Sequence, residues 1–144
     1  MKAPDLNLLI YAVDRGSPMH AAAKRWWDDL LSGTETVGLA WIVLLGFARI
    51  MTNARIMGAP MTVDEACDYI DRWMAHPATT VIDPTPRHVT LVRDLLRETG
   101  TAGNLISDAH LAALAIEHRA ELCSADRDFG RFPGLRWSNP LAGP

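Results

Sequence analysis

The sequence predicts an α/β domain in which helices flank a parallel β-sheet. Short apolar segments that suit buried strands alternate with longer segments of helical patterning, and this order is typical of parallel sheets. The first strand-like segment is apolar without apolar–polar alternation, as expected where helices cover both faces of a sheet. With 144 residues, 49% of them hydrophobic, the chain suits one compact domain spanning residues 1–144.

The first predicted elements are two strands and two helices. The run "LNLLIYA" at residues 6–12 is rich in strand formers and is expected to be a buried strand. A Ser-Pro pair beginning at Ser17 predicts a helix start, and Gly33 predicts its end. A short strand at Thr36–Ala40 then leads into a largely buried helix at Trp41–Asn53.

The rest of the chain continues the alternation of helices and strands. Thr62 and Glu65 form a capping-box pattern that opens a helix running to about Met74. The further predicted elements are a strand at Thr79–Asp83, a helix from Thr85-Pro86 to Gly100, a helix over Leu105–Ala120, a strand within Ala120–Ala125 and a last short strand near Leu135.

Composition and charge exclude several classes of protein. No apolar run approaches the roughly 20 residues that cross a bilayer, and the first residues make a poor signal peptide, so a cytoplasmic protein is expected. The formal charge of −3 argues against a surface that coats nucleic acid by charge alone. Lysine occurs only at Lys2 and Lys24, so the other basic residues are arginines, which suit local phosphate contacts.

Cysteine, histidine and tryptophan residues form no recognisable site in the sequence. Cys67 and Cys123 match neither a zinc pattern nor a disulfide framework and are expected to be buried thiols. The five histidines lack metal-binding spacing and are expected to be ordinary helix residues. The five tryptophans are expected in the core and not on a surface that stacks on nucleobases.

Four aspartates lie near predicted strand ends or a helix start. Asp126 and Asp128 follow a predicted strand, and Asp108 lies near the start of the preceding helix, on an otherwise apolar face. Asp5 falls at the start of the first strand, or inside it if that strand begins at Lys2. Parallel sheets collect ligands outside the carboxyl ends of their strands, so Asp5, Asp108 and Asp126 are expected to converge.

Each of these aspartates also has an ordinary structural explanation. A D-x-D pair is common in turns, Asp5 could begin a strand in solvent, and Asp108 could complement a helix dipole by about 0.3–1 kcal/mol. A cluster of carboxylates, however, repels itself. A hard cation such as Mg²⁺ or Mn²⁺ with oxygen ligands would relieve that repulsion.

Four segments, taken in order, resemble a known family. They are "DLNLLIYAVD", "GLAWIVLLGFARIMTN", "GNLISDAHLAALAIEHRAEL" and "SADRDFGRFPGLRWSNPL". Together they look like the PIN-domain ribonucleases and, more narrowly, the VapC toxins of type II toxin–antitoxin systems. The resemblance implies a three-layer PIN-like fold, Mg²⁺- or Mn²⁺-dependent cleavage of structured RNA such as a tRNA or rRNA loop, a homodimer, and neutralisation by a VapB-type antitoxin.

The resemblance also implies roles for individual residues. It assigns metal binding to Asp5, Asp108 and Asp126, catalytic support to Asp128, and supporting polar positions to Asn7, Asn104 and Ser124. The family commonly has a glutamate in the helix after the second strand, where this chain has Gly46. Flanking phosphates are expected to meet Arg49, Arg127 and Arg131, which could equally be surface residues.

Two other functions compete with this interpretation. A phosphoacceptor signalling domain would need a late lysine, and this chain has only Lys2 and Lys24. A catalytically impaired PIN domain that only binds RNA or its antitoxin stays open, because Gly46 leaves one acid fewer at the site. Apolar helix surface in "AAAKRWWDDLL" and "WIVLLGFARIM" favours a dimer and a protein partner.

Overall fold

Five short parallel strands organise the molecule, which is described by a computed structural model at residues 1–100 and 103–143, without the side chain of Asn104. The strands are β1 (Lys2–Pro4), β2 (Val37–Leu39), β3 (Thr79–Val81), β4 (Glu121–Cys123) and β5 (Trp137–Ser138). Their order across the sheet is β3-β2-β1-β4-β5, and every neighbouring pair is parallel. The predicted α/β fold with a parallel sheet is confirmed.

Six helices cover the sheet. They are α1 (Leu6–Val13), α2 (His20–Ser32), α3 (Trp41–Met51), α4 (Val63–Ala75), α5 (His88–Thr99) and α6 (Ile106–Glu117). Right-handed crossovers place α1 to α4 on one face and α5 and α6 on the other, because the strand order runs outward from β1 to β3 and then returns to β4. None of the helices among the described residues is long and apolar enough to span a membrane.

The predicted strand over residues 6–12 is wrong, because those residues form α1. The strand is Lys2–Pro4, and Asp5 then caps the helix by accepting a hydrogen bond from the Leu6 amide at 2.7 Å. The buried residues of α1 are Leu8, Leu9 and Ala12, which lie on one face of a helix. Leucine and alanine favour a helix once a cap is available.

Other boundaries differ more modestly from the sequence prediction. The Ser17 hydroxyl accepts a bond from the Met19 amide in a turn, and α2 begins only at His20. Thr85 likewise precedes α5 instead of opening it. The capping box at Thr62 is confirmed, since its side chain accepts from the Glu65 amide at 3.1 Å. The last strand is Trp137–Ser138, slightly beyond the predicted "LRW".

Two expectations about burial are wrong. Cys67 is exposed on α4, whereas Cys123 is buried in β4 as expected. Trp41, the first residue of α3, is 43% exposed, while Trp27 and Trp73 pack edge to face in the core with ring centroids 5.8 Å apart. Position explains the difference, because Trp41 is in the first turn of a helix whose buried face begins two residues later.

Chain direction brings the predicted site residues to one edge of the sheet. Asp5 follows β1, Ser124 follows β4, and the Asp5 amide donates to the Cys123 carbonyl at 2.8 Å, which extends the β1–β4 ladder. α6 returns the chain to the start of β4, so its first turn, with Asp108, lies at the carboxyl edge. Ligand sites of open parallel sheets form where the strand order reverses, here beside β1.

A chain of hydrogen bonds joins α5 to α6 below this edge. Glu117 accepts from the Thr85 hydroxyl at 2.5 Å and from His88 Nδ1 at 2.7 Å, and His88 Nε2 lies 2.7 Å from His110 Nδ1. Burial alone would raise the pKa of Glu117, but these bonds outweigh it and lower that pKa. Apart from His110, which stood out for its place two residues from Asp108, the histidines were expected to be ordinary helix residues, so the ordered pair of His88 and His110 was not predicted.

Candidate active site

Asp5 is anchored on both of its carboxylate oxygens. Oδ1 accepts from the Leu6 amide at 2.7 Å, and Oδ2 accepts from the Ser124 hydroxyl at 2.7 Å and from Asn7 Nδ2 at 3.3 Å. Burial raises the pKa of Asp5, the Ser124 and Leu6 bonds oppose that rise, and the charge of Asp126 adds to it. The side chain is therefore held in one place, in an environment that disfavours its charge.

Ser124 is the centre of the polar arrangement around Asp5. It is fully buried, directly after β4. Its hydroxyl donates to Asp5 and accepts both from Asn7 Nδ2 at 3.1 Å and from the Asp126 amide at 3.0 Å. Asn7 Oδ1 in turn accepts from the Ala125 amide at 3.3 Å. These bonds tie the end of β1 to the end of β4 with all hydrogen-bonding capacity of the hydroxyl in use.

Asp126 and Asp128 belong to the turn that follows β4. Asp126 caps the 3-10 helix Arg127–Arg131, because its side chain accepts from the Asp128 amide at 2.9 Å. The Asp128 side chain is exposed and lies 3.7 Å from Arg131 Nη1. Asp126 thus has a capping role as the turn explanation required, and it lies close enough to the other acids to act on their ionisation.

Asp108 approaches the other acids from the helical side. Its pKa is raised to about 6, first by burial and then by the negative charges of Asp126, Asp5 and Asp128. Within residues 1–100 and 103–143, Asp5, Asp108 and Asp126 form no salt bridge. Asp5 and Asp126 lie close enough to Asp108 for their charges to raise its pKa, and none of the three carboxylates is paired with a cation among the described residues.

A cavity of about 410 Å³ opens beside these acids. Asp5, Asp108, Gly46, Arg49 and Ser107 contribute to its wall. The remaining lining residues are apolar: Leu6, Ile42, Val43, Leu45 and Leu111. A mostly apolar wall with a few charged and polar groups is typical of a ligand-binding cavity.

The donor atoms at this cavity suit a hard divalent cation, since carboxylate oxygens are its preferred ligands. Across the described residues, however, no group of three or more histidine, cysteine, aspartate or glutamate side chains is arranged to hold a metal ion. The charge of the site therefore fits Mg²⁺ or Mn²⁺, while the carboxylates of Asp5, Asp108 and Asp126 do not surround a common point.

Comparison with known proteins decides the family. The family model for the PIN domain matches residues 3–135. The chain belongs to the PIN-domain family. It is 44% identical over 142 residues to Ribonuclease VapC37 of Mycobacterium tuberculosis, covering 99% of each chain, and 43% identical over 141 residues to Ribonuclease VapC33 of the same species, covering 98% of this chain and 99% of that one.

Solved structures agree with the PIN fold. The VapBC2 structure from Rickettsia felis, bound to a DNA fragment from its promoter, has a TM-score of 0.70 at 19% identity, with 96% of this chain and 97% of that chain covered. The predicted PIN-like architecture and the resemblance to VapC proteins are confirmed. The relatives named above carry the name ribonuclease.

In this PIN domain Gly46 does line the cavity that holds Asp5 and Asp108. A Cβ atom at residue 46 would lie 2.9 Å from Leu6 Cδ2, closer than side chains approach one another. The glycine therefore makes room for Leu6 to enter the cavity wall. Arg49 lies one turn further along α3 in the same wall.

Not every predicted residue of the PIN site can be placed in the cavity. Arg127 and Arg131 are in the exposed turn after Asp126, and neither lines the cavity. The Asn104 side chain lies outside what the structure describes. Ser107 and the apolar wall of Leu6, Ile42 and Leu45 were not predicted from the sequence. Ser107 could have been suspected from its place beside Asp108.

Replacing the buried Ser124 with alanine should destabilise the PIN domain by about 1–3 kcal/mol, because Asp5, Asn7 and the Asp126 amide each lose a hydrogen-bond partner. The free energy of unfolding from urea titration measures this loss. Ser107→Ala is the matched control, since Ser107 is exposed in the same cavity wall. Equal stability of the two variants would show that the Ser124 hydroxyl contributes nothing.

Proposed function

We propose that this chain is a metal-dependent endoribonuclease toxin. The observation that carries the proposal is that Asp5 and Asp108 line one cavity, and that burial and the charges of Asp126, Asp5 and Asp128 raise the pKa of Asp108 to about 6. Strongly shifted ionisable groups in a cleft are typical of catalytic sites. The relatives named as ribonucleases support phosphodiester cleavage of RNA as the reaction.

The proposed metal ligands are Asp5, Asp108 and Asp126, with Asp128 in support. A bound Mg²⁺ or Mn²⁺ would stabilise charge on the scissile phosphate and lower the pKa of a water molecule. Hydrogen bonds from the Leu6 amide and the Ser124 hydroxyl hold the Asp5 carboxylate, so this carboxylate is oriented before a metal ion binds. Arg49 lines the same cavity and is the arginine best placed to hold a flanking phosphate.

The proposed substrate is structured RNA, a tRNA or an rRNA loop, cut in the cytoplasm. The net charge of −3 leaves little long-range attraction for a polyanion. Binding must therefore depend on contacts close to the cavity, which favours a substrate recognised at a single exposed loop over general degradation of RNA.

The proposed protein partners are a VapB-type antitoxin and a second copy of the chain. The Rickettsia felis relative in fold is a VapBC protein. Ile42 and Leu45 are exposed in the wall of the cavity that holds Asp5 and Asp108, so an antitoxin could occupy this surface in place of RNA while presenting a cation to the carboxylates. Sedimentation of the chain at micromolar concentration, alone and with the product of a neighbouring short reading frame, tests both partners.

A catalytically impaired PIN domain is the second candidate. Gly46 lacks the glutamate carboxylate that the family commonly has at this position. Among the described residues, no group of His, Cys, Asp or Glu side chains is arranged to hold a metal ion. Such a domain would bind RNA or an antitoxin without cutting RNA. If the chain cuts RNA, the missing carboxylate at residue 46 predicts that cleavage requires a high metal concentration or Mn²⁺ in place of Mg²⁺.

RNA cleavage should require added Mg²⁺ or Mn²⁺ and should stop when EDTA removes the metal, because the acids cannot neutralise the phosphate by themselves. Total RNA incubated with each metal, followed by sequencing of the new RNA ends, measures both activity and target. Asp126→Asn should be inactive, whereas Asp71→Asn, an exposed acid on α4, should cut normally. Undiminished cleavage in EDTA would contradict metal dependence, and no cleavage with either metal would favour the impaired domain.

A further inference from the structure

One face of α3 carries a row of exposed side chains, the α3 ridge, formed by Trp41, Ile42, Leu45 and Arg49. Trp41, Leu45 and Arg49 follow one another at four-residue spacing, which places them on one side of a helix. Trp41 is 43% exposed, Ile42 38% and Leu45 60%. The ridge thus begins with an indole, continues with two aliphatic side chains and ends with a cation.

The α3 ridge lies at the edge of the sheet where the acids meet. α3 begins two residues after β2, and β2 is the strand next to β1, which leads to Asp5. Ile42, Leu45 and Arg49 line the cavity that also holds Asp5 and Asp108. An RNA strand whose phosphate reaches the acids must therefore pass close to the ridge.

Exposure sets Trp41 apart from the other tryptophans. All five lie within the described part of the chain, and the other four are buried or half-buried. The inner face of α3 is occupied by Val43, Leu44 and Phe47, so the fold does not need the Trp41 indole in the core. Large aromatic side chains that keep an exposed face are enriched where proteins bind ligands.

We propose that Trp41 stacks on an unpaired RNA base next to the scissile phosphate, while Arg49 holds the phosphate beside that base. This inference rests on the proposed ribonuclease function and adds the feature of the substrate that the site recognises. Every nucleobase has a π-face, but a base is free to stack on a protein only when it is not stacked in a duplex. The preferred substrate is then an RNA loop or single strand.

The chemistry of the α3 ridge favours RNA over a protein as its occupant. An aromatic face combined with a nearby guanidinium is the arrangement by which proteins bind single-stranded RNA. Within residues 1–100 and 103–143, Arg49 forms no salt bridge, which leaves its guanidinium available for a phosphate. A protein partner would also use an exposed tryptophan and arginine, so the sedimentation measurement described below distinguishes a protein interface from RNA binding.

Binding without cleavage tests the proposal directly. Wild-type protein in EDTA is titrated with a short single-stranded RNA of mixed sequence and, in parallel, with a chain of abasic ribose phosphates of equal length. We expect RNA to quench tryptophan fluorescence in the wild type and to quench little in Trp41→Phe, whose other tryptophans are unchanged. The abasic chain should bind through charge alone, more weakly, and without quenching.

Substitution separates stacking from general apolar contact. We expect Trp41→Ala to weaken binding of the RNA about tenfold and to raise KM more than it lowers kcat. Trp41→Phe should retain most of the affinity, because phenylalanine still stacks. Trp41→Leu should behave like Trp41→Ala. Val89→Ala removes an apolar side chain from α5 that is more exposed than Trp41, at 64% against 43%, and should change neither value.

Several outcomes would overturn the inference. Wild-type RNA affinity in Trp41→Ala, or in Trp41→Leu, would show that no base stacks on the indole. A Trp41→Ala loss that is equally large for the abasic chain, or that accompanies a change in oligomeric state by sedimentation, would assign the residue to charge positioning or to a protein interface. If the wild type cuts no RNA with any metal yet Trp41→Ala still loses affinity, the ribonuclease proposal fails and the stacking proposal stands.

Discussion

Replacing Asp108 with asparagine should abolish RNA cleavage and at the same time raise the melting temperature of the metal-free protein. The carboxylate is destabilising at neutral pH, because burial and the charges of Asp126, Asp5 and Asp128 raise its pKa from 3.8 to about 6. That shift corresponds to at most about 3 kcal/mol. Because the side chain is partly exposed and solvent screens it, we expect a gain of about 1 kcal/mol, or about 3 °C.

The pH dependence of this gain follows from the direction of the shift. A folded-state pKa above the unfolded value means that protonated Asp108 stabilises the fold below pH 3.8, and that this contribution is lost as the pH rises to about 6. Thermal melts of wild type and Asp108→Asn should therefore differ most above pH 6 and converge below pH 4. Adding Mn²⁺ should reverse the order, since only the wild type keeps the Asp108 carboxylate as a metal ligand.

Asp71→Asn, on the exposed side of α4, serves as the control and should leave both cleavage and melting unchanged. An Asp108→Asn protein that cuts RNA at the wild-type rate would remove Asp108 from the site. A lower melting temperature in metal-free buffer would show that the carboxylate is not under electrostatic strain.

The second large effect is expected from the double variant Gly46→Glu with Leu6→Ala. Gly46→Glu alone should be strained, because its Cβ would meet Leu6 Cδ2 at 2.9 Å, and overpacking of this kind costs about 1–3 kcal/mol. Shortening Leu6 opens that space. The new carboxylate then joins Asp5 and Asp108 in the cavity and should lower the metal concentration for half-maximal cleavage by about tenfold or more.

Gly46→Gln with Leu6→Ala is the matched control, because it has the same shape without the charge and should not gain metal affinity. Metal titrations of cleavage, with thermal melts to verify folding, measure the effect. A well-folded double variant with the metal requirement of the wild type would show that residue 46 is not close enough to the metal to act as a ligand.

The fold was largely predictable, because the alternation of strands with helices and the apolar spacing typical of helices can be recognised in the sequence. The exception is instructive. The segment after Asp5 is as apolar as a buried strand, but in the structure it is a helix. Asp5 caps that helix by accepting a hydrogen bond from the Leu6 amide. Because the true first strand is three residues long, composition carries little signal of it. Short strands of a parallel sheet owe their structure to their neighbours.

The proximity of the acids could be predicted from the sequence, whereas the residues that form the cavity wall could not. Asp5, Asp108 and Asp126 could be expected together because parallel strands end at one edge. By contrast, the exposure of Trp41 and the entry of Leu6 into the cavity depend on helix rotation. The ordered pair His88 and His110 likewise arises from contact between two helices. Sequence spacing does not report contacts between separate elements.

The bond between Ser124 and Asp5 also limits when the group of acids can form during synthesis. These residues are 119 positions apart, so the central β1–β4 pairing closes a loop that contains most of the described chain. Such long-range parallel pairing is slow, because the entropy of closing the loop is lost before any contact compensates it. A nascent chain on the ribosome, with β4 still to be synthesised, has no acid cluster. Under the proposed function, a chain in which β4 has not yet been made should cut no RNA, because Ser124 and Asp126 are then absent from the site.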